Sequence, residues 1–176
     1  MLSDYDRFLF GEGTHYRSYE KMGAHLVEQD GVKGARFAVW APNARSVSVI
    51  GDFNRWKSDT HPLHQQGVSG VWEGFIPGLK QGDLYKYAIN SNVNRYHVQK
   101  ADPYAFASEL RPRSASKIWN LSGFPWGDTE WMQERGKRNA LKAPFSIYEV
   151  HLGSWRRVPE EANRWLTYRE MAPRLA

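Results

Sequence analysis

The sequence predicts a mainly β fold class: an antiparallel β-sandwich, then a long connection, then the incomplete first βα unit of an α/β domain. Three observations predict it. From Gly23 to about Tyr104, short runs rich in β-branched and aromatic residues alternate with Gly, Pro, Asn and Asp turns, the pattern of hairpin-linked strands. From Ala105 to Ala143 that pattern lapses, with Pro112, Gly123, Pro125 and Gly127 set among Trp119, Trp126 and Trp131. From Phe145 to Leu152 a run apolar on both alternating faces precedes a helix start, as a strand covered on both sides requires.

Each element has a local reason. A helix is expected over Asp4–Phe10, closed by Gly11. Gly11 and Gly13 begin like a dinucleotide-binding loop. Tyr16 stands where the third glycine belongs and no strand precedes it, so no phosphate cradle is read there. Ala24–Gln29 runs into Asp30-Gly31, a strong two-residue hairpin sequence. Ala35–Ala41 returns and stops at Pro42-Asn43. Ser46–Ile50 alternates, placing Val47 and Val49 on one face and Ser46 and Ser48 on the other. Gly51-Asp52-Phe53-Asn54 turns the chain. Val71–Ile76, Leu84–Asn90 and Arg95–Gln99 complete the set, with Tyr85, Tyr87 and Ile89 on one face and Lys86 opposite. Ala105–Ala143 reads as an irregular but structured joint, since large aromatics do not suit a loose tether. After the Phe145–Leu152 strand, ended by Gly153-Ser154, Thr167 and Glu170 form a capping box that opens a helix. Pro173 falls six positions into that helix and is expected to kink or shorten it. A lone βα unit has no sheet partner to bury its strand, so the chain reads as the front piece of a longer protein.

Composition excludes several chemistries. The 176 residues cannot hold a complete barrel of eight strands and eight helices, which takes about 250 residues. The chain has no cysteine, so disulfides, thiolate metal sites and cysteine nucleophiles are ruled out. No apolar run approaches the roughly 20 residues of a membrane helix, and Met1–Asp6 lacks the basic-then-apolar order of a secretion signal. A soluble, intracellular, reducing setting is the expectation. The net charge of +5 is spread along the chain rather than concentrated on one element, which reads as a solvated surface and not a nucleic-acid face. Aromatics make up 14%; they serve a core, and they equally serve to stack on the C–H face of a sugar.

Candidate reactive groups mostly fail on geometry. His61 and His64 flank Pro62 in a loop without a carboxylate pair, which gives no metal site. Glu160 and Glu161 are adjacent and diverge, so they cannot flank one glycosidic bond. Glu149 and His151 end the Phe145–Leu152 strand, and packing or hydrogen bonding is their expected role. Trp56, in a loop after a strand, is either a sugar platform or a cap on the sandwich core. Lys86 can reach sugar hydroxyls, although a solvated role is the simpler one.

Several strings together resemble bacterial glycogen branching enzymes. They are Gly11–Tyr16, Tyr19–His25, Arg36–Ala44, Val49–Trp56, Gly82–Tyr87, Lys100–Ala105 and Ser146–Arg156. The Val49–Trp56 string is shared more widely with carbohydrate-binding sandwiches of starch and glycogen enzymes. The resemblance implies an immunoglobulin-like sandwich joined to the start of an α-amylase-like (β/α)₈ barrel. The implied layout is an N-terminal extension (1–22), the sandwich (23–108), a linker (109–143) and the barrel opening (144–176). It implies transfer of an α-1,4-glucan segment to a 6-hydroxyl through a covalent glycosyl-enzyme. The Asp nucleophile and Glu acid/base belong to later strands, so no residue here is assigned to catalysis and this chain alone is expected to be inactive. Trp56 and Lys86 match sugar-contacting positions of related sandwiches. The implied partner is α-glucan. No cofactor, metal, nucleic acid or membrane is called for, and a cytoplasmic monomer is expected. The other reading is a stand-alone glucan-binding or interaction module.

Overall fold

Asp30 and Gly31 both take positive φ, 52° and 78°, the pair of left-handed residues a type I′ hairpin needs. They join β1 (Gly23–Gln29) to β2 (Val32–Trp40) in continuous antiparallel register, from Gly23 opposite Ala38 to Gln29 opposite Val32. The computed structural model describes residues 2–94 and 96–175. Met1 and Ala176, within the expected extension and barrel opening, and Arg95, the expected start of a return strand, lie outside the described residues.

The remaining strands of the sandwich are β3 (Ala44–Gly51), β4 (His64–Gln65), β5 (Val71–Pro77), β6 (Leu84–Ser91), β7 (His97–Lys100), β8 (Ala107–Ser108) and β9 (Ser116–Lys117). One sheet has the order β1-β2-β5-β4; the other runs β3-β6-β9-β8, with β7 also paired to β6. Alternation sends Ala35, Phe37 and Val39 of β2, Val47 and Val49 of β3, and Tyr85 and Tyr87 of β6 into one shared core. Phe37 meets Tyr85 and Tyr87 edge-on, at centroid distances of 5.2 and 6.5 Å. Ser48, expected on the open face, is buried. The His61–Leu63 segment lies along β3, Val49 N donating to His61 O and Leu63 N to Val47 O.

A buried carboxylate ties the core to the segment behind it. Tyr85 and Tyr87 donate their hydroxyls to Asp102 Oδ2 at 2.6 and 3.1 Å, and Tyr104 N donates to Oδ1 at 2.8 Å. Asp102 N in turn donates to Ser116 Oγ at 2.9 Å. Burial pushes the Asp102 carboxyl up from its ordinary value, against the lowering effect of those hydrogen bonds. Burial beside the same carboxylate pushes both tyrosines up as well.

The N-terminal stretch forms α1 (Asp4–Gly11), capped reciprocally by Ser3 and Asp6. Gly11 is inside the helix; the left-handed residue that turns the chain is Gly13, at φ 72°. This corrects the expected closure at Gly11. Leu2 and Met22 pack on Ala38 and Val71, covering the face of the first sheet that points away from the core. Leu2 N donates to buried Glu73 Oε1 at 2.8 Å.

The chain forms two compact units, one through Pro125 and one from Trp126. The first therefore takes in the N-terminal stretch and the 109–125 segment along with the strands. The expected irregular connection is more regular than its composition indicates. It holds β8 and β9, the latter paired to Leu84 and Tyr85 of β6, and α2 (Thr129–Arg138). Glu130 in the first turn of α2 and Arg135, Lys137 and Arg138 in its last turn complement the helix dipole.

In the second unit the expected strand over Phe145–Leu152 does not form. Its backbone has no partner strand among the described residues, and Leu152–Trp155 makes a helical turn, α3. A strand exists only by pairing, so the apolar pattern is present without its ladder. A short hairpin follows, β10 (Arg157–Val158) with β11 (Arg164–Trp165), then α4 (Tyr168–Leu175). The capping box is as expected: Glu170 N donates to Thr167 Oγ1, and Thr167 N donates to Glu170 Oε2. Arg164 and the Thr167 amide hold the Glu170 carboxyl down at about 2. Pro173 lies inside α4, which continues through Leu175, the last described residue.

Candidate functional site

The loop that carries Trp56 starts at a glycine with no room for a side chain. A Cβ on Gly51 would lie 2.1 Å from Leu84 O, so no larger residue fits beside β6 there. The chain then makes a 3₁₀ turn, Asp52–Asn54, and passes through two left-handed residues, Arg55 (φ 55°) and Trp56 (φ 59°). Non-glycine residues hold this conformation only where surroundings enforce it.

Asn54 supplies the enforcement. Its Oδ1 accepts from Gly51 N at 2.9 Å. Its Nδ2 lies 2.9 Å from Val49 O, 3.1 Å from Lys57 O and Thr60 Oγ1, and 3.0 Å from His61 Nδ1. This one buried side chain thereby ties both ends of the loop together. Trp56 N donates to Gly51 O at 2.9 Å, and Trp56 Nε1 to Asp52 Oδ1 at 2.8 Å. The indole is half-buried, stands outside both buried clusters, and is fixed at its polar edge. The core-capping role weighed for Trp56 is taken by Phe53, which packs on the core and meets His61 edge-on at 5.3 Å.

Lys86 lies opposite Ile50 in the β3–β6 ladder, one residue before Gly51 leaves for the loop. The ladder thus places Lys86 at the end from which the Trp56 loop departs. Lys86 Nζ donates to Ser114 Oγ at 3.0 Å. Among the described residues, no hydrogen bond joins Lys86 to Trp56. An indole held at one edge and an ammonium with further donors can bind a neutral, hydroxyl-bearing ring.

The other sequence candidates stay apart. His151 Nδ1 contacts Ser154 Oγ at 2.8 Å and is exposed, as is Glu149. Glu161 accepts from Arg164 at 2.7 Å. No group of three His, Asp or Glu that could hold a metal occurs among the described residues. Among the same residues, no helix is long and apolar enough to cross a membrane. The sequence reading missed Asn54 and Ser114. Asn54 was visible as a turn residue, whereas Ser114 reaches Lys86 only through tertiary pairing.

Residues 21–105 match the family model for carbohydrate-binding module 48, the isoamylase N-terminal domain. The chain is 55% identical over 175 residues to the 1,4-alpha-glucan branching enzyme of Rubrobacter xylanophilus, covering 99% of this chain and 24% of that protein. The branching enzymes of Gloeobacter violaceus and Paramagnetospirillum magneticum are 51% and 52% identical, each over 99% of this chain and 24% of their own length. Along nearly its whole length the chain is similar to these branching enzymes. It spans about a quarter of the length of the relatives it matches. Among solved structures, a maltotriose complex of a Klebsiella pneumoniae pullulanase mutant aligns with 60% of this chain and 12% of its own, at 26% identity and a TM-score of 0.49. The module match spans β1 through β7, stops short of β8 and β9, and includes both Trp56 and Lys86.

Proposed function

We propose that the sandwich binds α-glucan and that the chain acts as the N-terminal part of a 1,4-α-glucan branching enzyme, which moves an α-1,4-glucan segment onto a 6-hydroxyl to build α-1,6 branches in glycogen. The observation that carries this reading is the alignment along 99% of the chain with branching enzymes. Trp56 lends its ring face to the C–H face of a glucose unit, and Lys86 donates to a hydroxyl beside it. The catalytic Asp and Glu come from outside this chain, whose own share is to hold the polymer near the reacting barrel. Residues 144–176 open that barrel. Phe145 and Ile147, 84% and 82% exposed, support this as apolar surface that neighbouring strands would bury. On this reading the setting is cytoplasmic, and the chain works as a monomer on polysaccharide without a cofactor.

Two measurements test the reading. Glycogen cast into a native gel retards the chain, and Trp56→Ala removes most of that retardation; retardation unchanged in Trp56→Ala takes the role from that ring. Amylose treated with the chain keeps its iodine colour; a shifted spectrum means the chain branches glucan unaided and overturns the division of labour.

A further inference from the structure

A second pocket of sugar-binding character lies away from the Trp56 loop. β1 is an edge strand of the first sheet and β8 is an edge strand of the second. Near the start of β1, a 3₁₀ turn (Ser18–Glu20) brings Tyr19 forward. Past β9, fully buried Ile118 anchors the chain and Trp119 follows it outward. Tyr19, Glu20, His25, Phe106, Trp119 and Asn120 line a pocket of about 280 Å³ between these segments.

Its chemistry is specific. Tyr19 and Trp119 are 48% and 40% exposed, so large rings border an open space instead of filling a core. His25 Nε2 contacts Met22 O at 2.9 Å, and its ring meets Phe106 edge-on at 5.5 Å, which gives a rigid wall. Burial lowers the proton affinity of His25, keeping that wall neutral at neutral pH. Asn120 Oδ1 accepts from Ser122 N and Oγ at 2.9 and 2.7 Å. Its Nδ2, like Trp119 Nε1, makes no hydrogen bond among the described residues. Two unoccupied donors therefore stand beside two aromatic rings. The charged side chain in the lining is the Glu20 carboxylate, whose Oε1 accepts from Arg17 Nε at 2.9 Å in an ion pair, and neither lysine nor arginine lines the pocket itself. With that carboxylate already paired to Arg17, the lining offers no unpaired cation for an anion, whereas hydroxyls can both accept from the free donors and donate to Glu20 Oε2.

We propose that this pocket is a second α-glucan subsite, in which Trp119 and Tyr19 pack on a glucose unit and Asn120, Trp119 and Glu20 bond its hydroxyls. The proposal rests on the glucan reading above. The volume falls just below the roughly 300 Å³ at which pockets for drug-sized ligands begin, so it takes a short stretch or an end of a chain rather than a long run. Two subsites on one module bind a polymer jointly, the second at the high effective concentration set by the first.

The test is a maltotriose titration of the ¹⁵N-labelled 176-residue chain, watching the tryptophan indole N–H resonances, with Trp119→Phe used to assign one of them. The expected result is a saturable shift of the Trp119 resonance that persists in Trp56→Ala. Trp119→Ala then weakens retardation on glycogen by roughly three-fold or more, the loss expected of one aromatic face. Trp119→Phe, which keeps a ring, retains most of it. If maltotriose moves the Trp56 resonance and leaves Trp119 still, the second subsite is overturned while the glucan reading stands. If Trp119 moves and Trp56 does not, this pocket is the primary site. If neither moves and glycogen retards nothing, both fail together.

Discussion

Phe37 and Phe145 carry one side chain into opposite surroundings. Phe37 lies on β2 with no exposed surface, enclosed by Tyr85 and Tyr87; Phe145 is 84% exposed in the second unit. Both stand in alternating apolar runs, so pattern alone does not separate them. The difference is supply of partners. In the first unit two sheets and an N-terminal cover satisfy each other's faces, whereas residues 145–150 find no partner strand among the described residues. A hydrophobic pattern states a demand for burial, and only the rest of the fold can meet it.

The comparison breaks most sharply by mutation at its two poles. Phe37→Ala is expected to cost the first unit about 4 kcal/mol in urea unfolding, while Phe145→Ala stays within about 0.5 kcal/mol. Comparable losses from both would mean that the exposed run is packed after all.

Asp102→Ala comes next, at about 3 kcal/mol by the same measurement, because it leaves two tyrosine hydroxyls and the Tyr104 amide without their acceptor. The pH dependence has a definite sign. The folded carboxyl takes up its proton more readily than the unfolded one, whose ordinary value is 3.8. Its contribution to stability is therefore full below 3.8 and is lost as pH rises through the folded value. The stability difference between the native chain and Asp102→Asn should shrink over that rise and then level; a difference growing with pH would contradict the burial described here.

Asn54→Ala ranks third, at about 2 kcal/mol. It should also broaden or move the Trp56 indole resonance, because it releases both ends of the loop. Thr167→Ala is the smallest, about 1 kcal/mol taken locally from α4. It is read as faster amide exchange in Tyr168–Met171, and unchanged exchange there would mean that the cap does not hold α4.

The strand succession was legible because it depends on nearest neighbours: Asp30-Gly31 dictates its hairpin, and alternation in β3 and β6 dictates which valines and tyrosines face inward. Sites set by distant partners were not. Asp102 stands before a proline and reads as a boundary, yet it is the buried acceptor for residues 15 and 17 positions earlier. β8 and β9 are two residues each, too short for periodicity to register, and they exist because β6 offers an edge. Trp56 was visible as an aromatic in a turn. The pocket around Trp119 was not, since Tyr19 and Trp119 are separated by almost the whole sandwich in sequence.

The indole of Trp56 has already committed its lone N–H to Asp52. What remains to offer a ligand is a flat, directionless plane. Such a plane cannot tell one repeat of a uniform polymer from the next, so on the proposed glucan reading a strand resting on it would advance by a glucose unit and meet an identical landing. A grip of that kind is phase-blind: it keeps a strand close while leaving it free to feed past.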